Sequence, residues 1–391
     1  MRFVVLGAGL MGRAALYDLA RSHEATEIIV ADYDQPRAQQ AAREYGNGKA
    51  RHAFCDVRQT AETVRLLTGS VAVLNCTQYY WNLDVMKAAL AAGANYLDLG
   101  GLFYTTRKQL KLSSEFRRAG LLAILGIGSA PGIANVMARF LADQLPRITA
   151  IKVYNGAREL RPAASDPLAF SFSIATILDE LTIPPMHYMG GKFHQQENFS
   201  DPEAVTFPAP IGKLVVRHSI HSEVATLPLS FRSRGVRQVF FKINYDPQMI
   251  ETVRLLGSMG LLEKEPIAIN GCQVAPRAFL EQLLKSRATG STAPPRDAET
   301  VRVVVEGSSK AGRKRRLTLD ATTRYSTRPV FSAVARDTGF PISVAAQMLA
   351  RGEISARGVQ PPEMSIPARE FLKDLDKRGI KISGSGWLPA D

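Results

Sequence analysis

Cysteine is scarce in this chain of 391 residues: Cys55, Cys76 and Cys272 stand far apart with no paired spacing. A disulfide framework and a cysteine metal site are thereby excluded, and buried small hydrophobes are expected. Long apolar runs are also missing. No run of about 18 apolar residues occurs, so no membrane-spanning helix is expected. The start "MRFVVLGAG" enters a strand pattern without a basic-then-apolar leader, and the expected location is the cytoplasm. Aromatic residues interleaved with basic ones, and any recognisable nucleic-acid motif, are absent too. The net charge of +13 is therefore read as attraction for anionic substrates and pyrophosphate. Its densest block, "KAGRKRR" at 310–316, lies between the strand-like runs "VRVVVEG" and "RLTLDAT", as a solvated hairpin tip would.

What is present is a globular composition, 46% apolar, at a length that suggests roughly two or three lobes. In "RFVVLGAGLMGRAALYDLARS" a short apolar strand turns through Gly7-Ala8-Gly9-Leu10-Met11-Gly12 into a helical pattern. Gly7 allows the tight turn, Gly9 lets backbone approach a pyrophosphate, and Gly12 lets the helix pack close to the strand. The helix N-terminus offers unpaired N–H groups to phosphate. A second strand, "EIIVAD", ends in Asp32, 20 residues beyond Gly12, where a carboxylate meets the adenosine ribose hydroxyls. A carboxylate there repels a 2′-phosphate, so NAD is favoured; Arg37 keeps NADP open.

The runs "HAFCD", "VAVLNC", "NYLDLG" and "LLAILG" continue the alternation of strand and helix, which means a doubly wound parallel α/β sheet of Rossmann type. Ligands lie beyond the carboxyl ends of such strands. That rule selects Asp56, Asn75, Thr77 and Gly100 for cofactor beside Gly7, Gly9, Leu10, Met11, Gly12 and Asp32. It selects Tyr79 and Asp98 as catalytic candidates and Tyr80 for substrate. Turn and capping chemistry is the plain alternative for each.

After "GIGSAPGIANVMARFLADQLP" the alternation stops, and strand-like runs follow: "ITAIKVYNG", "KLVVRHS", "VFFKINY" and "VRVVVEG". They read as an inserted α+β domain on a largely antiparallel or mixed sheet. From about residue 331 helices return, so the chain is expected to come back to its first domain. The expected division is 1–130 plus 331–391 for the dinucleotide-binding domain and 131–330 for the substrate-binding and dimerisation domain. "SRATGSTAPPRD" at 286–297 reads as an exposed loop.

In order along nearly the whole chain, "VVLGAGLMG", "NYLDLGG", "SAPGIANVMA", "FSIATILDELTIPP" and "GEISARGVQPPE" resemble the saccharopine dehydrogenase-like enzymes, and among them the lysine 6-dehydrogenases. The resemblance implies NAD(P)-dependent oxidation at a C–N bond of lysine or a lysine adduct. It also implies a split Rossmann domain around a central dimerising domain, hence a homodimer or higher homo-oligomer. The chain departs from the lysine 6-dehydrogenase pattern at Ile220-His221-Ser222-Glu223 and at "NYDPQM" (244–249), both in the substrate domain. An NADP-dependent reductase forming saccharopine or a carboxyalkyl-polyamine is the alternative within enzymes, and a non-catalytic dinucleotide sensor the alternative outside them.

Amine oxidation by hydride transfer needs a neutral nitrogen, and deprotonating a lysine ammonium at pH 7 costs about 4.6 kcal/mol. "RHSIHSEVATLP" (217–228) offers the groups for that task. As a strand it would put His221 and Glu223 on one face and His218 on the other. A metal site would need a bend and further ligands not evident in the chain, so none is expected. His221 and Glu223 are accordingly the candidate acid–base pair, with a solvated strand face, or an arginine partner for Glu223, as the plain alternative. Arg161 and Arg217 are candidates for a substrate carboxylate, with a surface arginine as theirs.

Overall fold

The computed structural model describes residues 1–161, 173–288 and 296–388. Six strands, β1 (Arg2–Leu6), β2 (Glu27–Asp32), β3 (Ala50–Phe54), β4 (Ala72–Asn75), β5 (Asn95–Asp98) and β6 (Leu122–Ile124), run parallel in the spatial order 3-2-1-4-5-6. The inner strands are covered on both faces, and in β1 Phe3 and Val5 enter one core, Val4 and Leu6 the other; the edge strand β3 is largely exposed. A seventh strand, Gly358–Gln360, pairs with β6, so the chain returns to this sheet near its C-terminus. The helix Ala333–Ala350 packs on α1 (Leu10–Ala20) so closely that a Cβ on Gly339 would lie 2.6 Å from the Met11 carbonyl.

The second sheet is mixed, with nine strands. Along it run Glu203–Phe207, Gly212–His218, Gln238–Ile243, Arg147–Glu159, Asp297–Ser308, Lys314–Arg324 and Lys381–Gly384. One face, with Val153, Phe241, Val301 and Val303, joins the core shared with the parallel domain. The other face, with Tyr154, Phe240 and Val304, packs under the strand Glu203–Phe207. A third core gathers the helices Ile174–Thr182, Pro247–Ser258 and Pro276–Ala288 around Ile177, Leu178, Ile250 and Leu280.

The basic block 310–316 is exposed throughout, from the hairpin tip into the start of Lys314–Arg324. Of the loop expected at 286–297, residues 289–295 lie outside the described residues, and 286–288 belong to the helix Pro276–Ala288. Cysteine burial differs from expectation. Cys55 is buried, Cys76 is half-buried behind β4, and Cys272 is exposed on a two-stranded hairpin. Among the described residues no helix is long and apolar enough to cross a membrane.

Candidate active site

The turn from β1 into α1 shows three different demands on its glycines. Gly7 has φ +92°, and a Cβ there would lie 2.7 Å from the Cys76 carbonyl oxygen; on Gly12 it would lie 1.8 Å from the Gly7 carbonyl oxygen. On Gly9 it would meet nothing within 4 Å. Gly7 and Gly12 are thus required by the fold, whereas Gly9 faces open space at the N-cap of α1. That cap carries no side-chain hydrogen bond and no acid in the first turn. Leu10 is exposed there and Met11 half-buried.

Asp32, buried at the end of β2, accepts from Ala8 N at 2.7 Å and Asp34 N at 2.9 Å. Arg37 is held by Asp34 at 3.0 Å. Asp56 is engaged by Arg58, whose Nε and Nη2 donate to its two oxygens.

Beyond β4 and β5 the selected side chains form a network among themselves. Asn75 Oδ1 accepts from Thr77 N and Thr77 Oγ1, and its amide donates to Asn82 and to Tyr96 Oη. Asp98, fully buried, receives five donors: Gly100 N and Gly126 N on Oδ1, and Tyr96 Oη, Asn82 Nδ2 and Gln109 Nε2 on Oδ2. Burial raises its pKa in spite of them. Asp98, expected among the catalytic groups, has its oxygens engaged in joining the loops after β5 and β6. Asn75 and Thr77, likewise, use their side chains to shape the turn after β4.

The reading of "RHSIHSEV" as one strand is also corrected. The strand stops at His218, and the helix Glu223–Ser230 begins five residues later. His218 pairs across to Lys242 on the far face of the sheet, where burial pushes its pKa down to about 4. Arg217 is half-buried on the near face, opposite Ile243. The intervening turn is fastened to the parallel domain: Ser222 Oγ accepts from Gly101 N at 3.3 Å and lies 3.2 Å from Thr106 Oγ1. Behind it, a Cβ on Gly100 would lie 2.7 Å from Pro131, which brings the loop after β6 to the same place.

His221 and Glu223 do meet, through Nδ1 and Oε2, both buried. The imidazole stacks on Phe241 with ring centroids 3.9 Å apart and planes 13° from parallel. Glu223 Oε1 is buried with no hydrogen-bond partner among the described residues. Two further buried carboxylates surround the pair, and neither was anticipated. Glu180 accepts from Tyr245 Oη at 2.5 Å, and Glu299 accepts from Asn155 Nδ2 at 2.8 Å and Ser129 Oγ at 3.2 Å. No lysine or arginine pairs with Glu180, Glu223 or Glu299 among the described residues.

Burial pushes Glu180 up to about 7, with Glu223 adding to the rise and His221 and Tyr245 opposing it. Burial also pushes Glu299 up to about 7, against the hydrogen bond from Asn155 and with the help of Asp297. For His221 burial disfavours the imidazolium, but Glu223, Glu180 and Glu299 outweigh it, and its pKa stands above the usual histidine value.

Tyr79, in the loop after β4, reaches the residue next to Glu180. Its hydroxyl donates to Asp179 Oδ2 at 2.8 Å, and burial, with Asp179, raises its pKa well beyond the usual tyrosine value. Tyr80 stands exposed at the rim, edge-on to Tyr79 at 5.6 Å. Arg161, expected as a substrate ligand, pairs with Glu159 at 2.8 Å on the surface and makes no contact with this group among the described residues.

Glu180 was hidden by its setting in "ILDEL", where an acid on a helix reads as solvated. Both faces of that helix are buried, since Ala175, Asp179 and Glu180 are as inaccessible as Ile177 and Leu178. Glu299 opens the apolar run "ETVRVVVEG", and that interruption was its one available signal.

Comparison with known proteins places this geometry in context. The family model of the saccharopine dehydrogenase NADP-binding domain matches residues 3–124, and that of the saccharopine dehydrogenase C-terminal domain matches residues 128–380. A carboxyaminopropylagmatine dehydrogenase from Synechocystis sp. is 23% identical over 304 residues, 74% of this chain and 73% of that protein. A carboxynorspermidine synthase from Vibrio cholerae is 24% identical over 335 residues, 81% of this chain and 76% of that protein. Among solved structures, apo saccharopine dehydrogenase (L-Glu forming) from Saccharomyces cerevisiae superposes with a TM-score of 0.73 at 18% identity, covering 98% of this chain and all of the other. A homospermidine synthase from Legionella pneumophila in complex with NAD gives 0.65 at 13% identity, covering 99% of this chain and 92% of the other.

Proposed function

The chain belongs to the saccharopine dehydrogenase family, as an NAD(P)-dependent oxidoreductase, and we propose that it makes or breaks the C–N bond of a carboxyalkyl-substituted di- or polyamine. The observation that carries this reading is the buried group Glu180, Glu223 and Glu299 around a single imidazole, with Glu223 Oε1 unpartnered. Buried carboxylates without cations are costly, and a ligand that brings cationic nitrogen relieves the cost. The names of the two curated relatives favour an amine of this kind over lysine itself.

The residues of the β1–α1 turn fit a dinucleotide. Gly9 leaves open space in front of an uncapped helix N-terminus, which suits a pyrophosphate. Asp32 would hold the adenosine ribose, and with Arg37 tied to Asp34 the preference is for NAD. Bound there, a nicotinamide dinucleotide supplies hydride to a C=N carbon or accepts it in the reverse direction.

The remaining work falls to this chain's own side chains. Glu223 Oε1 and Glu180 hold the reacting amine. His221, oriented by Glu223 at Nδ1 and by the Phe241 ring on its face, keeps Nε2 for the proton. In condensation it takes the proton that makes the nitrogen nucleophilic, and returns one as hydroxide leaves the carbinolamine as water. Tyr79, locked to Asp179, closes the wall on the β4 side.

The test is turnover of purified protein with NADH or NADPH, a carboxylate-bearing aldehyde, and putrescine, agmatine or lysine in turn, followed at the nicotinamide absorbance. Consumption with a di- or polyamine and not with lysine is expected. Equal or greater consumption with lysine would return the reading to a lysine-directed enzyme, and none with any amine would end it.

A further inference from the structure

The adjacent acids Asp179 and Glu180 lead opposite lives. Both are buried on one helix, yet Glu180 faces His221 and Tyr245 without a cation, while Asp179 has two. Asp179 forms the floor of a cleft of about 430 Å³ lined also by Thr182, Leu262, Glu263, Lys264, Glu265 and Arg277.

The two cations on Asp179 Oδ1 differ in kind. Arg277 is a fixture: 5% exposed, it donates at 3.1 Å to Asp179, at 2.9 Å to the Ala175 carbonyl and at 2.7 Å to Glu281. Lys264 is a visitor. Its side chain is 67% exposed, and only Nζ descends, to 3.3 Å from a carboxylate that is itself 4% exposed. Glu263 and Glu265 flank it on the exposed rim, with no ion pair of their own among the described residues. The lining therefore carries three carboxylates, and one of its two cations is held only by its tip.

We propose that this cleft is a distal cation subsite, in which the Lys264 ammonium holds the place of a second ammonium or guanidinium of the substrate. The inference rests on the amine-directed reading above. Asp179 links the two regions by position, since it directly precedes Glu180 on the helix Ile174–Thr182 while its Oδ1 faces the cleft. A substrate anchored at Glu180 and Glu223 presents its far cation at high effective concentration, which lets it displace a tethered but largely solvated lysine. Lys264 thus sets selectivity by competing with long amines.

The test compares the native protein, Lys264→Met and Lys264→Arg in steady-state turnover of butylamine, which has no second cation, and spermidine, which has two more. With Lys264→Met, KM for spermidine should fall about fivefold while that for butylamine and kcat for both stay unchanged. Lys264→Arg should behave as the native chain. A KM for spermidine that rises or does not move, or falls equally for both amines, overturns the proposal. If neither amine is turned over, the functional reading has failed on its own account. Calorimetric binding of the same two amines to native and Lys264→Met protein then decides on the cleft by the same criterion.

Discussion

Asp98 and Glu223 are both fully buried carboxylates at the junction of the two sheets, and they could hardly be provided for more differently. Asp98 receives five donors from the loops around it. Glu223 has one imidazole, on one oxygen, and the other oxygen has nothing among the described residues. A saturated carboxylate is architecture, because its energy is already spent on holding the chain. An unsaturated one in the same dielectric is a standing cost that a ligand can remove.

The largest expected effect separates the two by function. Glu223→Gln should lower kcat about 10²- to 10³-fold, since His221 loses the charge that orients it and raises its pKa. Dinucleotide affinity should be unchanged. Normal turnover in this variant would take the dyad out of the chemistry.

Asp98→Asn should do the reverse. It sets an amide donor among five donors and leaves several unsatisfied, at a cost of about 3 kcal/mol or more, read in denaturant unfolding. The loops after β5 and β6 should loosen with it, so any loss of activity should scale with the loss of stability.

The glycines repeat the contrast at the cofactor end. Gly12→Ala forces a Cβ against the Gly7 carbonyl and should unsettle the fold itself, whereas Gly9→Ala adds a methyl to open space. For Gly9→Ala the melting temperature should hold and dinucleotide affinity should fall about tenfold, measured by fluorescence titration. A tenfold loss from that position, with no loss of stability, would tie the space before α1 to the pyrophosphate.

These pairs also indicate what the sequence could and could not disclose. The parallel sheet was legible because its signals are local: glycines at fixed offsets after one strand, and an acid after the next. Position at a strand end drew attention to Asp98 but said nothing of its partners, which come from Gly126 and Gln109 as well as from its own loop. "RHSIHSEV" misled because its alternation of apolar and polar residues mimics a strand. Ser222-Glu223 carries a helix-start signal, a serine followed by an acid in the first turn. The serine has turned its hydroxyl to Gly101 and Thr106, so it makes no cap. The pairing of His221 with Glu223 survives for a different reason: a turn, not a pleat, brings them together. Glu180 and Glu299 escaped notice because burial on both faces of their elements leaves no periodicity for an acid to break.

The smallest effect expected is in the pH dependence of stability, and its sign follows from Glu180 and Glu299. Each carboxyl stands at about 7 in the folded chain, against about 4.3 for an unfolded glutamate. Between those values the native state binds more protons than the unfolded state, so stability falls as pH rises. The contribution of each group is fully present below the unfolded value and lost as pH climbs through about 7. His218, depressed to about 4, works in the opposite direction below the unfolded histidine value of about 6.5. The decline in melting temperature is therefore expected from about pH 6.5 to pH 8, by a degree or two. Glu180→Gln should flatten that decline, since the amide has no proton to lose. Saturating spermidine should flatten it as well, because an ammonium beside Glu180 lowers its folded pKa toward the unfolded value. Asp98→Asn should leave the slope due to Glu180 and Glu299 in place while shifting the whole curve down. A slope that disappears in Asp98→Asn and persists in Glu180→Gln would exchange the roles assigned to the two carboxylates.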